Sequence, residues 1–253
     1  MKYYYDLAML GIFTLQDAID VIGNENNAKQ YLQRAIKQKM IRRIKQGLYV
    51  VINISTGGDL VNRFQIGCKI NDGCFISYHT AFEFYSSYNQ VFNDVQVSSH
   101  KRFTDFEDMY LTYRFFHTNI DKQIEVINGV RVTSIERTIV DSINMLGKVM
   151  DFEELIKCIE EIESIDEKKI IEMLEIYNKD ILYRKVGYIL SIYQDYFGLS
   201  DEFIKLCLEH TFSNTYGLIS SNENAKLKYI PKWKIYGYED IRGIIDKGGN
   251  YEV

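Results

Sequence analysis

The sequence has few of the residues that mark linkers, metal modules or disulfide scaffolds. Its single proline is Pro231, so no proline-rich linker separates parts of the chain. The cysteines are scattered, at Cys68, Cys74, Cys158 and Cys207, and they form no Cys-x-x-Cys pair. This spacing indicates neither a zinc module nor a disulfide framework, and it favours buried free thiols in a reducing cytoplasm.

Long apolar segments are also absent from the sequence. No run approaches the roughly 18 apolar residues that a membrane helix requires. The chain begins MKYYYDLAML, which lacks an apolar stretch long enough for a signal peptide. We therefore expect a cytoplasmic protein that does not bind membranes.

Motifs of catalysis and phosphate binding are missing too. The sequence contains no GxxxxGK[ST], GxGxxG or GxSxG pattern, and its four histidines lack the spacing of metal ligands. One segment, Glu167-Lys168-Lys169, has the Glu-x-Lys form of half of a metal-dependent nuclease site. It lies at a predicted helix start with no fitting strand before it, so chance explains it better. We predict no enzymatic activity, no metal and no cofactor.

The charge of the chain is unevenly distributed. Residues 1–55 carry eight basic and four acidic residues, whereas the rest of the chain carries 22 basic and 31 acidic ones. The acidic part is not suited to wrap around DNA, because phosphates repel it. This asymmetry favours a basic DNA-binding end attached to an acidic body.

The stretch from Lys29 to Lys45 contains seven basic residues and no acidic one. Its first half predicts a helix from about Asn26 to Lys39. The apolar face of that helix consists of Ala28, Tyr31, Leu32, Ala35 and Ile36. Its second half predicts a hairpin, because Ile41–Ile44 and Leu48–Ile52 read as short strands that flank Lys45-Gln46-Gly47.

Two short helices precede the basic helix. The first is predicted over Tyr3–Leu10, and the second begins after Thr14 and ends near Val21. Asp17 follows Thr14 at the spacing of a capping box. Three helices and a basic hairpin are the layout of a winged helix-turn-helix, in which a helix enters the major groove and the wing contacts backbone or minor groove. The sequence therefore predicts such a domain over residues 1–55.

The predicted DNA contacts fall into two groups. Residues opposite the apolar face of the basic helix are expected to reach base edges, because Asn and Gln pair with adenine and Arg with guanine. These residues are Asn27, Gln30, Gln33, Arg34 and Lys37. Backbone contacts are expected from the other polar residues of the helix and hairpin, which are Lys29, Lys39, Arg42, Arg43, Lys45 and Gln46. The alternative is a surface helix and hairpin whose charges only solvate them.

The rest of the chain is expected to form a larger mixed α/β domain. The polar segment Asn53–Gly58 predicts a boundary, so the second domain covers residues 59–236. Its clearest local signal is a hairpin around Asn128-Gly129, the favoured two-residue turn. Helical periods dominate after Thr133, and residues 237–253 are expected to form a loose tail. The predicted fold class is α+β, with a winged helix-turn-helix followed by a mixed domain whose C-terminal half is helical.

Five short segments follow one another in an order typical of a known family. The predicted winged helix ends in Lys45-Gln46-Gly47-Leu48-Tyr49, and Ile76–Tyr85 comes next. Val132–Asp141 follows, and Arg184–Tyr188 and Lys232-Trp233 lie nearer the end. In order and spacing these segments resemble the AbiEi family of bacterial regulators, the antitoxins of type IV toxin–antitoxin systems, over most of the chain.

The resemblance implies two functions. The first domain would repress its own operon by binding inverted repeats in double-stranded DNA. The second would counter a nucleotidyltransferase-like toxin, AbiEii, without a direct complex between the two proteins. The wing departs from the family, since Gln46 stands where a basic residue is frequent and Val51-Ile52-Asn53 where a proline is frequent. Its phosphate contact therefore depends on Lys45.

Two other functions remain open from the sequence. An effector-sensing repressor would hold a small ligand in its second domain, in a pocket lined by some of the 20 tyrosines. A nuclease with a winged-helix targeting arm would cleave in a metal-dependent manner and lose activity on Glu167→Ala. The neighbouring gene discriminates among these functions, because a nucleotidyltransferase-like neighbour favours the antitoxin.

Overall fold

The described residues contain both helices and strands, as the predicted α+β class requires. The structure is a computed structural model, and it describes residues 2–85, 92–210, 216–218, 227–238 and 241. Within those ranges, no helix combines the length and the apolar character needed to cross a membrane.

The described residues form short to medium helices and short strands. The helices are α1 Tyr4–Leu10, α2 Leu15–Ile22, α3 Glu25–Lys37, α4 Arg63–Cys68, α5 Tyr78–Tyr85, α6 Ile135–Asn144, α7 Phe152–Glu160, α8 Glu167–Tyr177, α9 Asp180–Ser191, α10 Gln194–Phe197 and α11 Asp201–Glu209. The strands are β1 Ile12–Thr14, β2 Ile41–Lys45, β3 Leu48–Val51, β4 Phe75–Ile76, β5 Asp94–Ser99, β6 Phe106–Asp108, β7 Leu111–His117, β8 Ile124–Ile127, β9 Val130–Thr133, β10 Tyr216–Gly217, β11 Lys228–Ile230 and β12 Ile235–Gly237.

The chain packs into two compact units that interleave along the sequence. Unit 1 consists of Met1–Thr80 and Gln90–Val132, and unit 2 consists of Ala81–Asn89 and Thr133–Val253. The boundary predicted at residues 55–59 therefore falls inside unit 1. The reason is that side chains of the β2–β3 hairpin bind residues that follow this boundary.

Unit 1 begins with three helices and a three-stranded sheet. The capping box predicted for α2 is confirmed, because Thr14 Oγ1 accepts a hydrogen bond from the Asp17 backbone N–H and the Asp17 carboxylate accepts one from Thr14 N–H. Gly23 ends α2 with a left-handed φ of 85°, and Asn24 caps α3. The hairpin is present, but β1 was not predicted: it pairs antiparallel with β3 and gives the strand order β1-β3-β2.

The apolar faces of these elements form one core. The core contains Tyr4, Leu7, Phe13, Ala18, Leu32, Ala35, Ile41 and Val51, all buried. The Tyr4 hydroxyl also donates a hydrogen bond to the Ile52 carbonyl at 2.8 Å. This packing ties α1 to the end of the hairpin and holds α3 with its polar side turned outward.

A six-stranded mixed sheet completes unit 1, with the order β6-β7-β5-β4-β9-β8. Strand β5 runs parallel to β7, and β4 runs parallel to β9 and antiparallel to β5. The predicted turn between β8 and β9 is confirmed, because φ is 50° at Asn128 and 77° at Gly129. Helix α4 begins after Asn62, whose side chain caps it.

Unit 2 is mainly helical within its described residues. Helices α6 to α11 follow one another between Ile135 and Glu209. A small sheet in the order β10-β12-β11 follows them. The predicted tail at 237–253 lies outside the described residues, apart from Gly237, Tyr238 and Ile241.

Candidate nucleic-acid interface

Helix α3 turns one apolar side inward and one polar side to solvent. Ala28, Leu32 and Ala35 are buried. Every residue that the sequence predicts for base contact is exposed on this helix, namely Asn27, Gln30, Gln33, Arg34 and Lys37. The helix ends at Lys37, so the predicted helix end at Lys39 is wrong: Lys39 lies in the following turn with φ 56°, and it is exposed.

Two cations of α3 are engaged within the helix itself. Lys29 Nζ lies 2.6 Å from a carboxylate oxygen of Glu25, and both side chains are more than half exposed. The hydrogen bond and the charge of Lys29 lower the pKa of Glu25. Arg34 Nε donates to the Gln30 carbonyl at 3.3 Å. Exposed pairs of this kind contribute little stability and exchange readily for a phosphate, so both cations still fit a DNA contact.

The turn of the hairpin lies beside the start of α2. The Gly47 carbonyl accepts a hydrogen bond from the Leu15 N–H at 3.0 Å, and Gly47 has φ 80°. Arg43 and Gln46 are exposed, and Arg43 Nε donates to the Lys45 carbonyl at 3.2 Å. The hairpin therefore presents one exposed cation and one amide next to the turn.

Arg42 does not belong to the exposed set, although the sequence predicts a phosphate contact for it. Its guanidinium lies between two carboxylates: Nε and Nη2 bind Asp59 at 2.8 and 2.6 Å, and Nη1 and Nη2 bind Asp108 at 2.5 and 2.8 Å. Burial opposes the charge of Arg42, but hydrogen bonds to Asp59 and then Asp108 outweigh burial and raise its pKa. All three guanidinium nitrogens are occupied, so Arg42 fastens β2 to later parts of unit 1.

Lys45 is also placed differently from the expectation of a free wing lysine. Its ammonium lies 5.4 Å from the ring centroid of Phe103 and 5.2 Å from that of Phe106. This is the geometry of a cation–π contact, and the residue is half-buried. Burial lowers the pKa of Lys45. Its long side chain anchors the hairpin on two aromatic rings, so Lys45 is not the free wing lysine that the sequence predicts.

A small groove lies beside the Arg42 cluster, within unit 1. Its volume is about 220 Å³. Its walls are polar on the side of Arg42, Asp59 and Asp108 and mostly apolar elsewhere. The remaining lining residues are Val61, Asn62, Arg63, Ile66, Met109, Tyr110 and Leu111. Sequence reasoning missed this cluster, since Asp59 and Asp108 are distant from Arg42 along the chain.

Glu167 and two of the cysteines are the residues to which metal or nucleophilic chemistry would be assigned. The Glu167 carboxylate accepts hydrogen bonds from the Ser200 N–H at 2.6 Å and from its hydroxyl at 2.8 Å, which joins the starts of α8 and α11. In the described parts of the chain, no three His, Cys, Asp or Glu residues are grouped as metal ligands. Burial raises the pKa of Cys158 and of Cys207 to about 12, so these thiols stay protonated at neutral pH.

Comparison with known proteins gives a fold and no family. No protein-family model matches the sequence, and no curated protein matches it significantly. Among solved structures, the chain is similar to the crystal structure of the RV2827C protein from Mycobacterium tuberculosis, with a TM-score of 0.66. The two are 9% identical in sequence, and the match covers 94% of this chain and 89% of that one. At this identity the likeness shows a shared fold and carries no function.

Proposed function

We propose that the chain is a sequence-specific DNA-binding transcriptional regulator, with α3 as the helix that enters the major groove. The exposed side of α3 is the observation that carries this proposal. It presents three amide side chains and two cations in a row, at Asn27, Gln30, Gln33, Arg34 and Lys37. Amides and guanidinium groups are the side chains that read adenine and guanine edges.

The neighbouring elements support a winged helix-turn-helix. Helices α2 and α3 are joined by a tight turn at Gly23, and the β2–β3 hairpin follows α3 directly. Strand β1 closes the sheet against the hairpin, which fixes the hairpin turn beside α2 through Leu15 and Gly47. In such a domain the second helix of the pair reads the groove, and the hairpin contacts the backbone.

We further propose that the protein is a type IV antitoxin of the AbiEi kind. It would repress its operon at inverted repeats in double-stranded DNA and counter a nucleotidyltransferase-like toxin. The resemblance of the five segments to the AbiEi family supports this proposal. Several residues in these segments, however, also have a packing role that would explain why they are present. Ile76 pairs with Val132 in the sheet, and a Cβ on Gly187 would lie 2.5 Å from the Trp233 ring. The antitoxin proposal therefore depends on the neighbouring gene.

The test of DNA binding uses the promoter DNA that precedes the gene of this protein. Gln33→Ala and Arg34→Ala should each cost roughly 1–3 kcal/mol and relax specificity at one base position. Gln16→Ala is the matched control, since Gln16 is an exposed helical glutamine whose side chain bonds Asp20 on α2. Fluorescence anisotropy with single-base operator variants measures both effects. Wild-type affinity in both α3 variants would rule out α3 as the reading helix.

The groove beside Arg42 favours a second candidate function, an effector-sensing repressor. Its volume of about 220 Å³ lies below the usual range of ligand pockets, so it fits only a small molecule. All of its lining residues except Arg42 fall within residues 59–236, where the sequence predicts such a pocket, and one of them, Tyr110, is a tyrosine. A metabolite that raises the melting temperature and changes operator affinity, with the effect lost on Tyr110→Ala, would favour this candidate over the antitoxin.

A further inference from the structure

The hairpin turn contacts a loop that the charge pattern does not single out. The Lys45 ammonium rests on the rings of Phe103 and Phe106, at 5.4 and 5.2 Å from their centroids. Phe103 is buried, and it follows Lys101 and Arg102 directly in the chain. The loop between β5 and β6 therefore carries two cations next to the aromatic anchor of the hairpin.

A second set of contacts fixes the backbone of this loop. The Lys101 carbonyl accepts a hydrogen bond from Asn71 Nδ2 at 2.9 Å, and its N–H donates to Ser99 Oγ at 3.1 Å. The same Asn71 accepts hydrogen bonds from Ser99 Oγ at 3.2 Å and from Cys74 Sγ at 3.0 Å. These hydrogen bonds hold the backbone of Lys101 in a defined place, and the contact of Lys45 with Phe103 and Phe106 joins the hairpin to the same loop.

The side chains of Lys101 and Arg102 are exposed, and no carboxylate of the described residues pairs with them. Two other cations of unit 1, by contrast, each have a carboxylate partner. Arg114 binds Asp94 at 2.5 Å, and Lys69 lies 3.5 Å from Asp17. Two adjacent unneutralised cations on a fixed loop are expected to collect an anion.

Three exposed carboxylates lie near this loop. Asp105 is in the loop itself, and one of its oxygens accepts the Phe115 N–H at 2.9 Å. Asp121 binds His100, the residue before Lys101, at 2.7 Å, and Asp72 follows Asn71 in its turn. None of the three forms an ion pair with Lys101 or Arg102, and the hairpin adds the cations Arg43 and Lys45. The site adjoins the element that approaches the DNA backbone in a winged helix-turn-helix.

We propose that Lys101 and Arg102 form a phosphate-binding site that extends the DNA contact of the hairpin onto the β5–β6 loop. The ligand is the phosphate backbone of duplex DNA, bound without regard to sequence. This inference rests on the proposed function and deepens it. Arg42 and Lys45 of the hairpin are engaged within the protein, and the two cations of the loop would supply phosphate contacts in their place. Part of the net-acidic region of the chain then contacts DNA directly.

The test measures how the affinity of the full-length protein for DNA depends on salt. Each phosphate contact adds about 0.9 to the slope of log affinity against log salt concentration. The double variant Lys101→Ala, Arg102→Ala should therefore reduce the slope by about 1–2 and weaken binding by about tenfold or more at 0.1 M salt. The loss should be equal for the promoter and for a random-sequence duplex, because phosphate contacts do not read bases.

Two further variants make the test decisive. The double variant Lys148→Ala, Lys205→Ala removes the same net charge from exposed residues of unit 2, and it should leave the slope unchanged. Lys101→Arg with Arg102→Lys keeps the charges and should retain wild-type binding. An unchanged slope in the Lys101→Ala, Arg102→Ala protein would overturn this inference alone. A wild-type protein that binds neither promoter nor random duplex would overturn the proposed function as well.

Discussion

Replacement of Arg42, whose guanidinium bridges Asp59 and Asp108, should destabilise unit 1. Arg42 and Asp59 have side chains about one-fifth exposed, at 21% and 18%, and Asp108 is 8% exposed. Removing one partner of a fully buried pair costs about 3–5 kcal/mol, because the other charge stays buried without a counterion. In Arg42→Ala two carboxylates would lose that counterion. Their partial exposure reduces the cost, so we expect about 2–3 kcal/mol.

Urea denaturation followed by circular dichroism gives the loss of stability, and amide hydrogen exchange in β2 and β6, the strands of Arg42 and Asp108, shows whether it is local to the bridge. Arg43→Ala is the matched control, since Arg43 is the next residue and its side chain is exposed. It should change stability by less than about 0.5 kcal/mol. Arg42→Met with Asp108→Leu should recover part of the loss, because one uncompensated carboxylate, Asp59, then remains instead of two.

The same variants separate a structural role of Arg42 from a DNA contact. If Arg42 bound phosphate, as its sequence position indicates, Arg42→Ala would lower the salt slope of DNA binding by about 0.9. The bridge predicts an unchanged slope for folded Arg42→Ala protein, together with a reduced slope for Arg43→Ala. A stability loss below about 0.5 kcal/mol, combined with a reduced slope in Arg42→Ala, would refute the assignment of Arg42 to the bridge.

Two further predictions concern the independence of the parts. A fragment of residues 1–58 should be unfolded or aggregated in circular dichroism and proton NMR, because it lacks the carboxylates that bind Arg42 and the aromatic rings that contact Lys45. A fragment of residues 1–132 is the comparison. Cooperative unfolding of the shorter fragment would contradict the expectation. If the antitoxin proposal holds, full-length protein with Arg34→Ala and Lys37→Ala should still restore growth beside the toxin gene while failing to repress the promoter in a reporter assay. Loss of protection in that variant, shown to be folded, would mean that the protein acts by repression only.

Local chemistry determined much of the first part of the fold from the sequence alone. The Thr14–Asp17 capping box, the basic helix with its apolar face, and the Asn128-Gly129 turn all depend on residues a few positions apart. Interactions of this range have patterns that a single sequence displays. The exposed residues of α3 could be named for the same reason, because the side of a helix follows from its period.

Contacts between distant residues decided the rest. Strand β1 has three residues, and it becomes a strand only by pairing with β3. Arg42 has the same exposed-looking context as Arg43 in the sequence, yet its partner Asp108 lies 66 positions away. Lys45 likewise finds its rings at Phe103 and Phe106, and Glu167 finds Ser200. Charge and residue type show which side chains are able to bind an anion or a metal, but only tertiary packing decides which of them the protein has already used to hold itself together.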